Sequence, residues 1–396
     1  MRIAYRKMLA ALVCAGLGGQ AAAQDAAQDT ISIGLVLPMT GVYAVLGKEI
    51  EAGFKLGLEG YSDVGVNFTM ALSDTAADVP TGVAVTREMI EERKVDVLVG
   101  LVSSAVLGNV RDMVHDARTP LIVANAGNDH ATGKSCSPYV VRVSFSNAQV
   151  NRPMGTWLAQ QGLKSAYLLA PDYAAGRQHV GAFRKTFEAA GGKVLGEDYT
   201  PFGKTDEFGP YLKKAWATGA EAVYVFYAGG EAIKFVKQYH ALAKAEGEDA
   251  KLFGSGFLTS PLYSHVQGEA VEGVIVSSHY APTISNASNR VFRRKWQRLT
   301  GREPSEFAVQ GYDAARVLAE AVANGARGRE GIAEALAHVK FSGPRGTIIV
   351  DEKTNNLAQP IYVYRNDRTA DGKIDQKILA ALPIEADAPN GCVMQR

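Results

Sequence analysis

The stretch Ile31-Ser32-Ile33-Gly34-Leu35-Val36-Leu37-Pro38-Met39-Thr40-Gly41 contains the segment that decides the fold. Residues 31–37 form a mostly apolar run, which is typical of a strand buried on both faces of a parallel sheet. Pro38 lacks the N–H that pairing requires and Gly41 permits a tight turn, so the strand is expected to end in a loop. The carboxyl end of such a strand is where open α/β sheets bind ligands.

The pattern of strand, loop and helix then repeats along the chain in two series. Alternation of this kind predicts an α/β architecture with right-handed crossovers. The predicted strands of the first series are 31–37, 66–72, 95–100 and 120–124. Those of the second series, which begins near residue 150, are 165–169, 193–199, 222–227, 251–254 and 273–278, and a late hairpin pairs 346–351 with 359–365.

The two series predict two lobes, each a mostly parallel sheet flanked by helices. Residues 30–141 and 279–343 are assigned to the first lobe, and residues 142–278 and 344–390 to the second. No Pro/Gly/Ser-rich linker separates them, so the lobes are expected to be joined by three short crossing segments. These segments are placed near Tyr139–Ser144, Val276–Tyr280 and Ser342–Gly346. A two-lobed protein with several crossings is expected to act as a hinged clamp.

The N-terminus predicts a secretory signal peptide over residues 1–23. Basic residues precede a short apolar run, Met8–Gly18, and Ala21-Ala22-Ala23 supplies a small-residue cleavage site. This pattern is typical of export, and the run is too short to span a bilayer. The alternative is a lipid anchor on Cys14, which is disfavoured because Val13 stands where a lipid-attachment motif needs a small residue. The expected location is therefore the periplasm.

Cys136 and Cys392 are the two cysteines that remain after the leader. In an oxidising compartment an even number of cysteines favours a disulfide, which would tie the C-terminal tail to a loop about a third of the way along. Two unrelated free thiols are the alternative, because sequence alone gives no distance between them.

Charge and motif content narrow the classes of function. The formal net charge is +1 and no basic patch occurs, so a nucleic-acid partner is not expected. No G-x-S-x-G nucleophile motif and no H-E-x-x-H metal motif occurs, and no carboxylate pair is marked as acid and base. We therefore expect no catalytic residue, no metal and no cofactor, and hence no enzyme.

Polar and aromatic residues recur in the loops after successive strands, where a ligand would bind. Ser103 and Ser104 open a helix, whose free N–H groups and positive dipole end suit a carboxylate. Helix capping is the alternative for each serine, and a role in the core is the alternative for the tyrosines. The candidate ligand-binding residues are Tyr43, Ser103, Ser104, Asn125, Ala126, Gly127, Tyr173, Tyr227 and Phe257.

Several short segments, in order and at characteristic spacing, resemble the periplasmic substrate-binding proteins of ABC importers, type I, of the leucine/isoleucine/valine-binding class. The resemblance covers essentially the whole chain after the leader. It rests on residues 31–41 with Gly47 and Glu51-Ala52-Gly53, on Ser73-Asp74-Thr75, on Val97–Gly100 with Ser103-Ser104, and on Phe307–Ala314. It implies a type I periplasmic-binding-protein fold, a small-molecule ligand and an ABC permease as partner. A monomer is expected.

The resemblance also implies roles for individual residues. The family's carboxylate-binding serine corresponds to Ser104 and its second carboxylate-binding segment to Asn125-Ala126-Gly127. The aromatic contacts correspond to Tyr43 from the first lobe and to Tyr173 and Tyr227 from the second.

This chain departs from amino-acid-binding members of the family at two places. Gly127 stands where they place a hydroxyl, and 254–257 lacks the carboxylate that pairs with the ligand's ammonium group. A buried ammonium without a counter-charge is costly, so a free α-amino acid is disfavoured. Residues 125–127, 136–139 and 144–147 are more similar to members that bind aromatic carboxylic acids. An aromatic acid is therefore the expected ligand, and the alternatives are a branched-chain or other amino acid or amide, or a sensing domain that serves a receptor.

Overall fold

The computed structural model describes residues 29–61, 65–370, 372–387 and 390–394. The predicted leader over residues 1–23, with Cys14, lies outside the described residues. Within the described ranges, no helix has both the length and the apolar character needed to cross a membrane.

Strands and helices alternate along the described chain, as the hydrophobic pattern predicts. The strands are β1 (Asp29–Leu37), β2 (Val66–Asp74), β3 (Val97–Gly100), β4 (Leu121–Val123), β5 (Val140–Arg142), β6 (Ser165–Pro171), β7 (Lys193–Thr200), β8 (Ala222–Val225), β9 (Lys251–Ser255), β10 (Ile275–Ser278), β11 (Lys340–Gly343), β12 (Gly346–Asp351), β13 (Asn356–Arg368) and β14 (Ile374–Glu385).

The α-helices are α1 (Ala44–Leu58), α2 (Val79–Glu91), α3 (Ser104–Asp116), α4 (Asn147–Gln160), α5 (Ala174–Ala189), α6 (Gly209–Trp216), α7 (Gly229–Glu246), α8 (Ser264–Gln267), α9 (Ala287–Thr300), α10 (Glu306–Ala323) and α11 (Gly328–Leu336). Short 3-10 turns cover 59–61, 129–132, 256–259 and 268–271.

Each lobe has a parallel sheet at its centre. In the first lobe β2, β1, β3, β4 and β5 lie side by side in that order and run parallel. In the second lobe the parallel order is β7, β6, β8, β9 and β10. The predicted α/β class is thus confirmed.

The long strand β13 joins the two sheets. At its start Asn356 pairs with Arg142 of β5, and residues 356–358 pair with β12, whereas its later residues pair with β10 and β14. The third passage between the lobes therefore lies within β13, near Gln359. The sequence placed it near Ser342–Gly346, but β11 and β12 form a hairpin there that pairs into the first sheet. The strand β14 was not predicted.

Two helices begin about five residues or more before the sequence pattern indicates, because helical spacing of apolar residues predicts them only over 49–58 and 153–161. The predicted helix over 49–58 begins at Ala44, and the one predicted over 153–161 begins at Asn147. Ser146 caps α4 by accepting a hydrogen bond from the Gln149 N–H, so Pro153 lies inside the helix and not at its start. Proline in a helix interior removes one backbone hydrogen bond, which made residue 153 look like a boundary.

The helices α1 and α10 of the first lobe pack in unusually close contact. A Cβ on Gly53 would collide with the carbonyl of Ala308, and one on Gly311 would collide with the carbonyl of Ile50. Only glycine permits this approach of the two backbones. The contact fixes α10, whose first turn lies beside the cleft between the lobes.

The predicted disulfide is confirmed. Cys136 and Cys392 are bonded, with their Cα atoms 5.5 Å apart. The bridge links the segment before β5 to the C-terminal tail, 256 residues away in sequence. Closing so long a loop reduces the entropy of the unfolded chain, which stabilises the fold.

Candidate ligand-binding site

A cavity lies between the lobes at the carboxyl ends of their parallel strands. The first lobe contributes residues from the segments after β1, β3 and β4 and from the start of α10. The second lobe contributes residues from the segments after β6, β8 and β9, and the passage after β5 supplies two more. The lining residues are Tyr43, Leu46, Val102, Ser104, Asn125, Gly127, Phe145, Asn147, Tyr173, Ala175, His179, Phe226, Ala228, Phe257 and Phe307.

One end of the cavity is built to receive hydrogen-bond acceptors. Ser104 is the first residue of α3 and is buried. The first N–H groups of a helix have no partner within it, and the helix dipole makes this end positive. The Ser104 hydroxyl oxygen accepts a hydrogen bond of 3.1 Å from the Asn147 amide, which orients it. This arrangement suits a carboxylate.

Asn125 and Gly127, which follow β4, border the same end of the cavity. The Asn125 amide donates to Gln310 Oε1 at 2.7 Å, which holds it in place. The Gly127 carbonyl accepts from the Asn147 N–H at 2.7 Å. Asn147 therefore contacts both Ser104 and Gly127 and connects the two carboxylate-binding segments expected from the sequence.

The remaining walls are aromatic. Phe145 and Phe257 lie 4.9 Å apart between ring centroids, and Phe257 lies 5.7 Å from Phe307. Phe226 meets Phe257 nearly edge-on at 6.2 Å. Offset and edge-to-face contacts are the favourable arrangements of aromatic rings, so a planar ring can join this cluster.

Two tyrosines connect the lobes across the cavity. The hydroxyls of Tyr43 and Tyr173 are 2.6 Å apart. Burial raises the pKa of both phenols far above the ordinary value, and their proximity to each other raises that of Tyr43 further. Both hydroxyls thus remain protonated and act as neutral hydrogen-bond donors and acceptors.

The cavity contains no charged side chain among its lining residues. His179 is neutral because burial lowers its pKa well below the ordinary value. The cavity volume is about 20 Å³, room for about one water molecule. A larger solute can therefore enter only when lining side chains turn or the lobes part.

Six of the nine candidate residues line this cavity: Tyr43, Ser104, Asn125, Gly127, Tyr173 and Phe257. The other three lie beside it. Ser103 caps α3 by accepting from the Val106 N–H at 3.4 Å. Ala126 is buried, and its N–H donates to the Leu101 carbonyl. The Tyr227 hydroxyl lies 3.2 Å from that of Thr200 in the second-lobe core.

Five cavity residues with aromatic or polar side chains were not among the candidates, namely Phe145, Asn147, His179, Phe226 and Phe307. Phe145 and Asn147 follow β5, which the sequence assigned to a crossing between the lobes and not to the first parallel sheet, and residues 144–147 entered the prediction only through their similarity to members that bind aromatic acids. Phe226 precedes Tyr227, and the alternation of extended backbone explains why one of them faces the cavity and the other the core. His179 lies inside α5, where no sequence signal marks it.

Among the residues that the structure describes, no group of three or more His, Cys, Asp or Glu side chains is arranged to hold a metal ion.

Several proteins are similar to this chain over most of its length. The Leu/Ile/Val-binding protein homolog 6 of Brucella melitensis is 26% identical over 92% of this chain and 95% of its own length. A solute-binding protein of an ABC transporter from R. palustris, solved in complex with benzoate, is 32% identical with a TM-score of 0.84, over 92% of this chain and 99% of that one. A solute-binding protein from Rhodopseudomonas palustris BisB5, solved with 3,4-dihydroxybenzoic acid, is 29% identical with a TM-score of 0.85, over 91% and 99%.

The sequence model of the family described as periplasmic binding protein matches residues 30–373. The match spans both parallel sheets and every residue that lines the cavity between them. The resemblance noted in the sequence is thus confirmed, and this chain belongs to the periplasmic binding protein family.

Proposed function

We propose that this protein is the periplasmic solute-binding component of an ABC uptake system, and that it delivers a small aromatic carboxylic acid to a membrane permease. The observation that carries the proposal is the composition of the cavity. Ser104 at a helix N-terminus faces a cluster of phenylalanine rings, and no charged side chain lines the space between them. An anionic group at one end of a flat apolar body matches these walls.

The absence of a carboxylate among the lining residues argues against a free α-amino acid. The ammonium group of an amino acid would be buried without a counter-charge, which costs several kcal/mol. Because the Brucella melitensis relative is named for leucine, isoleucine and valine binding, an amino acid remains the alternative ligand. The similar R. palustris proteins solved with benzoate and 3,4-dihydroxybenzoic acid support the aromatic choice.

Isothermal titration calorimetry of the protein with benzoate, 4-hydroxybenzoate and leucine tests the ligand class. We expect binding of at least one aromatic acid and no heat of binding with leucine. Tight leucine binding without a response to aromatic acids would overturn the proposal.

We propose that the protein binds its ligand without chemical change. After prolonged incubation, liquid chromatography should return the bound acid intact. Mass spectrometry of any acid that co-purifies with the protein and is released by denaturation would identify the natural ligand. Recovery of a converted product would contradict the proposal.

A further inference from the structure

His179, in the cavity wall, has a hydrogen-bond donor for which no described residue supplies an acceptor. The residue is fully buried and lines the cavity, and its Nε2 atom has no hydrogen-bond partner in the part of the chain that the structure describes. A buried donor without a partner costs about 1–3 kcal/mol, so such groups are rare unless a ligand or water completes them.

The neighbouring asparagine determines which ring nitrogen carries the proton. The Asn151 amide nitrogen lies 2.6 Å from the Asn147 carbonyl, and a carbonyl can only accept. The atom of Asn151 at this position must therefore be the NH₂ group and not the oxygen. The Asn151 oxygen in turn accepts from the Tyr224 hydroxyl. Tyr224 and the Asn147 carbonyl thus fix the orientation of the Asn151 amide.

The same NH₂ group lies 2.6 Å from Nδ1 of His179. Because NH₂ can only donate, Nδ1 must be the accepting nitrogen. Burial lowers the pKa of His179 well below the ordinary value, so the ring is neutral and carries one proton. That proton must be on Nε2. The unsatisfied atom is therefore an N–H donor.

The ring itself is held rigidly. His179 stacks on Phe226 with centroids 3.8 Å apart and meets Phe257 edge-on at 6.0 Å. Its donor is therefore pre-oriented, and a ligand that satisfies it does not have to immobilise the side chain.

Two residues of the helix α4 hold the His179 donor and the carboxylate-binding end of the cavity in place. Asn147 contacts Ser104 and Asn151 contacts His179, and the two asparagines are four residues apart on α4, about 6 Å along the axis.

We propose that His179 is a specificity-determining residue that selects aromatic carboxylates bearing an oxygen substituent, such as a hydroxyl, by donating a hydrogen bond from Nε2 to that oxygen. This inference rests on the proposed function. An unsubstituted or methyl-substituted ring would leave the donor unpaired, and a site built around such a donor discriminates against analogues that lack the acceptor.

The test compares ligands of matched shape. Affinities of the natural protein are measured by calorimetry for the 2-, 3- and 4-hydroxybenzoates and for the corresponding methylbenzoates, in which a methyl replaces the hydroxyl. We expect at least one hydroxybenzoate to bind about tenfold more tightly than its methyl counterpart. If every hydroxyl isomer binds no better than its methyl counterpart, the inference is wrong, although binding of aromatic acids would still support the proposed function. If no aromatic acid binds, the proposed function itself fails.

The variant His179→Phe keeps a flat ring and removes the donor. In this variant the ratio of hydroxyl to methyl affinity should fall to about one, whatever the absolute affinities become. The control His240→Phe makes the same change at a residue of α7 that does not line the cavity, and it should keep the ratio of the natural protein. An unchanged ratio in His179→Phe would overturn the inference.

Nitrogen NMR of the histidine side chains in the natural protein gives a second measurement that needs no variant at residue 179. We expect His179 to be neutral with its proton on Nε2. The Nε2 signal should move when the preferred hydroxybenzoate is added and move less with the matching methylbenzoate. A proton on Nδ1 would contradict the assignment.

Discussion

A Cβ atom on Gly127 would collide with Oδ1 of Asn147 and lie 2.6 Å from Cε2 of Phe145. Gly127 therefore leaves room for the asparagine that orients Ser104. The sequence raised the question of why this position lacks the hydroxyl that amino-acid-binding relatives place there. The packing supplies a physical reason, since Asn147 occupies the space that such a side chain would need.

Replacing Gly127 with alanine should weaken ligand binding. The added methyl group must displace Asn147, and overpacking of this kind costs about 1–3 kcal/mol. We expect the affinity for the aromatic acid to fall about tenfold or more in calorimetric titration. The matched control is Gly181→Ala, because a Cβ at that position in α5 meets nothing within 4 Å. Equal affinity of Gly127→Ala and the natural protein would show that Asn147 is not needed for binding.

At the scale of single elements, α10 carries a carboxylate whose environment has two opposing effects. Glu306 is the first residue of the helix, where the dipole favours a negative charge by about 0.3–1 kcal/mol. It is also fully buried, and burial is the larger effect, since it raises the pKa of this carboxyl to about 8. One oxygen accepts from the Ser260 hydroxyl at 2.9 Å, and the other has no hydrogen-bond partner among the residues described.

A carboxyl with a raised pKa makes the fold less stable as pH rises. The folded protein binds the Glu306 proton more tightly than the unfolded chain does, so its contribution is fully present below about pH 4.5 and is lost as pH approaches 8. Burial also raises the pKa of Asp129 to about 6 and that of Glu231 to about 7, with the same sign. Titration of these three carboxyls should therefore lower the stability between pH 5 and pH 8, whereas the buried His179 and His279, whose pKa values burial lowers, contribute in the opposite direction.

Glu306→Gln should reduce this decline. The free energy of unfolding, measured by urea denaturation at pH 5 and pH 8, should fall less or rise more over this interval in the variant than in the natural protein, by on the order of 2 kcal/mol. Glu334→Gln, at an exposed position of α11, controls for the loss of one negative charge. A variant with the same pH dependence as the natural protein would contradict the assignment of this titration to Glu306.

At the scale of the whole molecule, several hydrogen bonds join the lobes across the cleft. Among them are the bonds that connect Tyr43 with Tyr173, Ser104 with Asn147, and Glu306 with Ser260. All of these groups are buried or half-buried where the lobes meet. A ligand can drive closure only through contacts that differ between open and closed forms, and we expect these contacts between the lobes to be lost when the lobes part.

Tyr173→Phe should weaken ligand affinity by destabilising the closed form. The change leaves the buried Tyr43 hydroxyl without its partner, which costs about 1–3 kcal/mol, so we expect a loss of affinity of about tenfold. Small-angle X-ray scattering should show less compaction when ligand is added at a fixed concentration.

Tyr227→Phe is the matched control for this prediction. The Tyr227 hydroxyl contacts Thr200 within the second lobe, so its loss should lower stability without changing the ligand-induced compaction. Equal effects of the two variants would show that the Tyr43–Tyr173 contact has no special role in closure.

The sequence by itself determined the architecture of this protein and the end of the sheets at which the cavity lies. Apolar runs such as 31–37 fix buried parallel strands, because only a strand covered on both faces tolerates them. The residues that follow those strands can be read from the sequence alone. They include Tyr43, Ser104, Asn125 and Gly127, which line the cavity. The even number of cysteines after the predicted leader also predicted the Cys136–Cys392 bridge.

Only the tertiary structure decided which neighbours face the ligand and where the chain crosses between lobes. Phe226 and Tyr227 are adjacent in sequence and alternate in direction along extended backbone, and only the packing of the second lobe decided that the first lines the cavity and the second contacts Thr200. The role of β13 in both sheets depends on pairing with β5, more than 200 residues away. His179 gains its role from Asn151 on another helix, because a hydrogen bond between distant segments fixes the proton on its ring. Contacts of this kind depend on three-dimensional proximity, which a local pattern of residues does not encode.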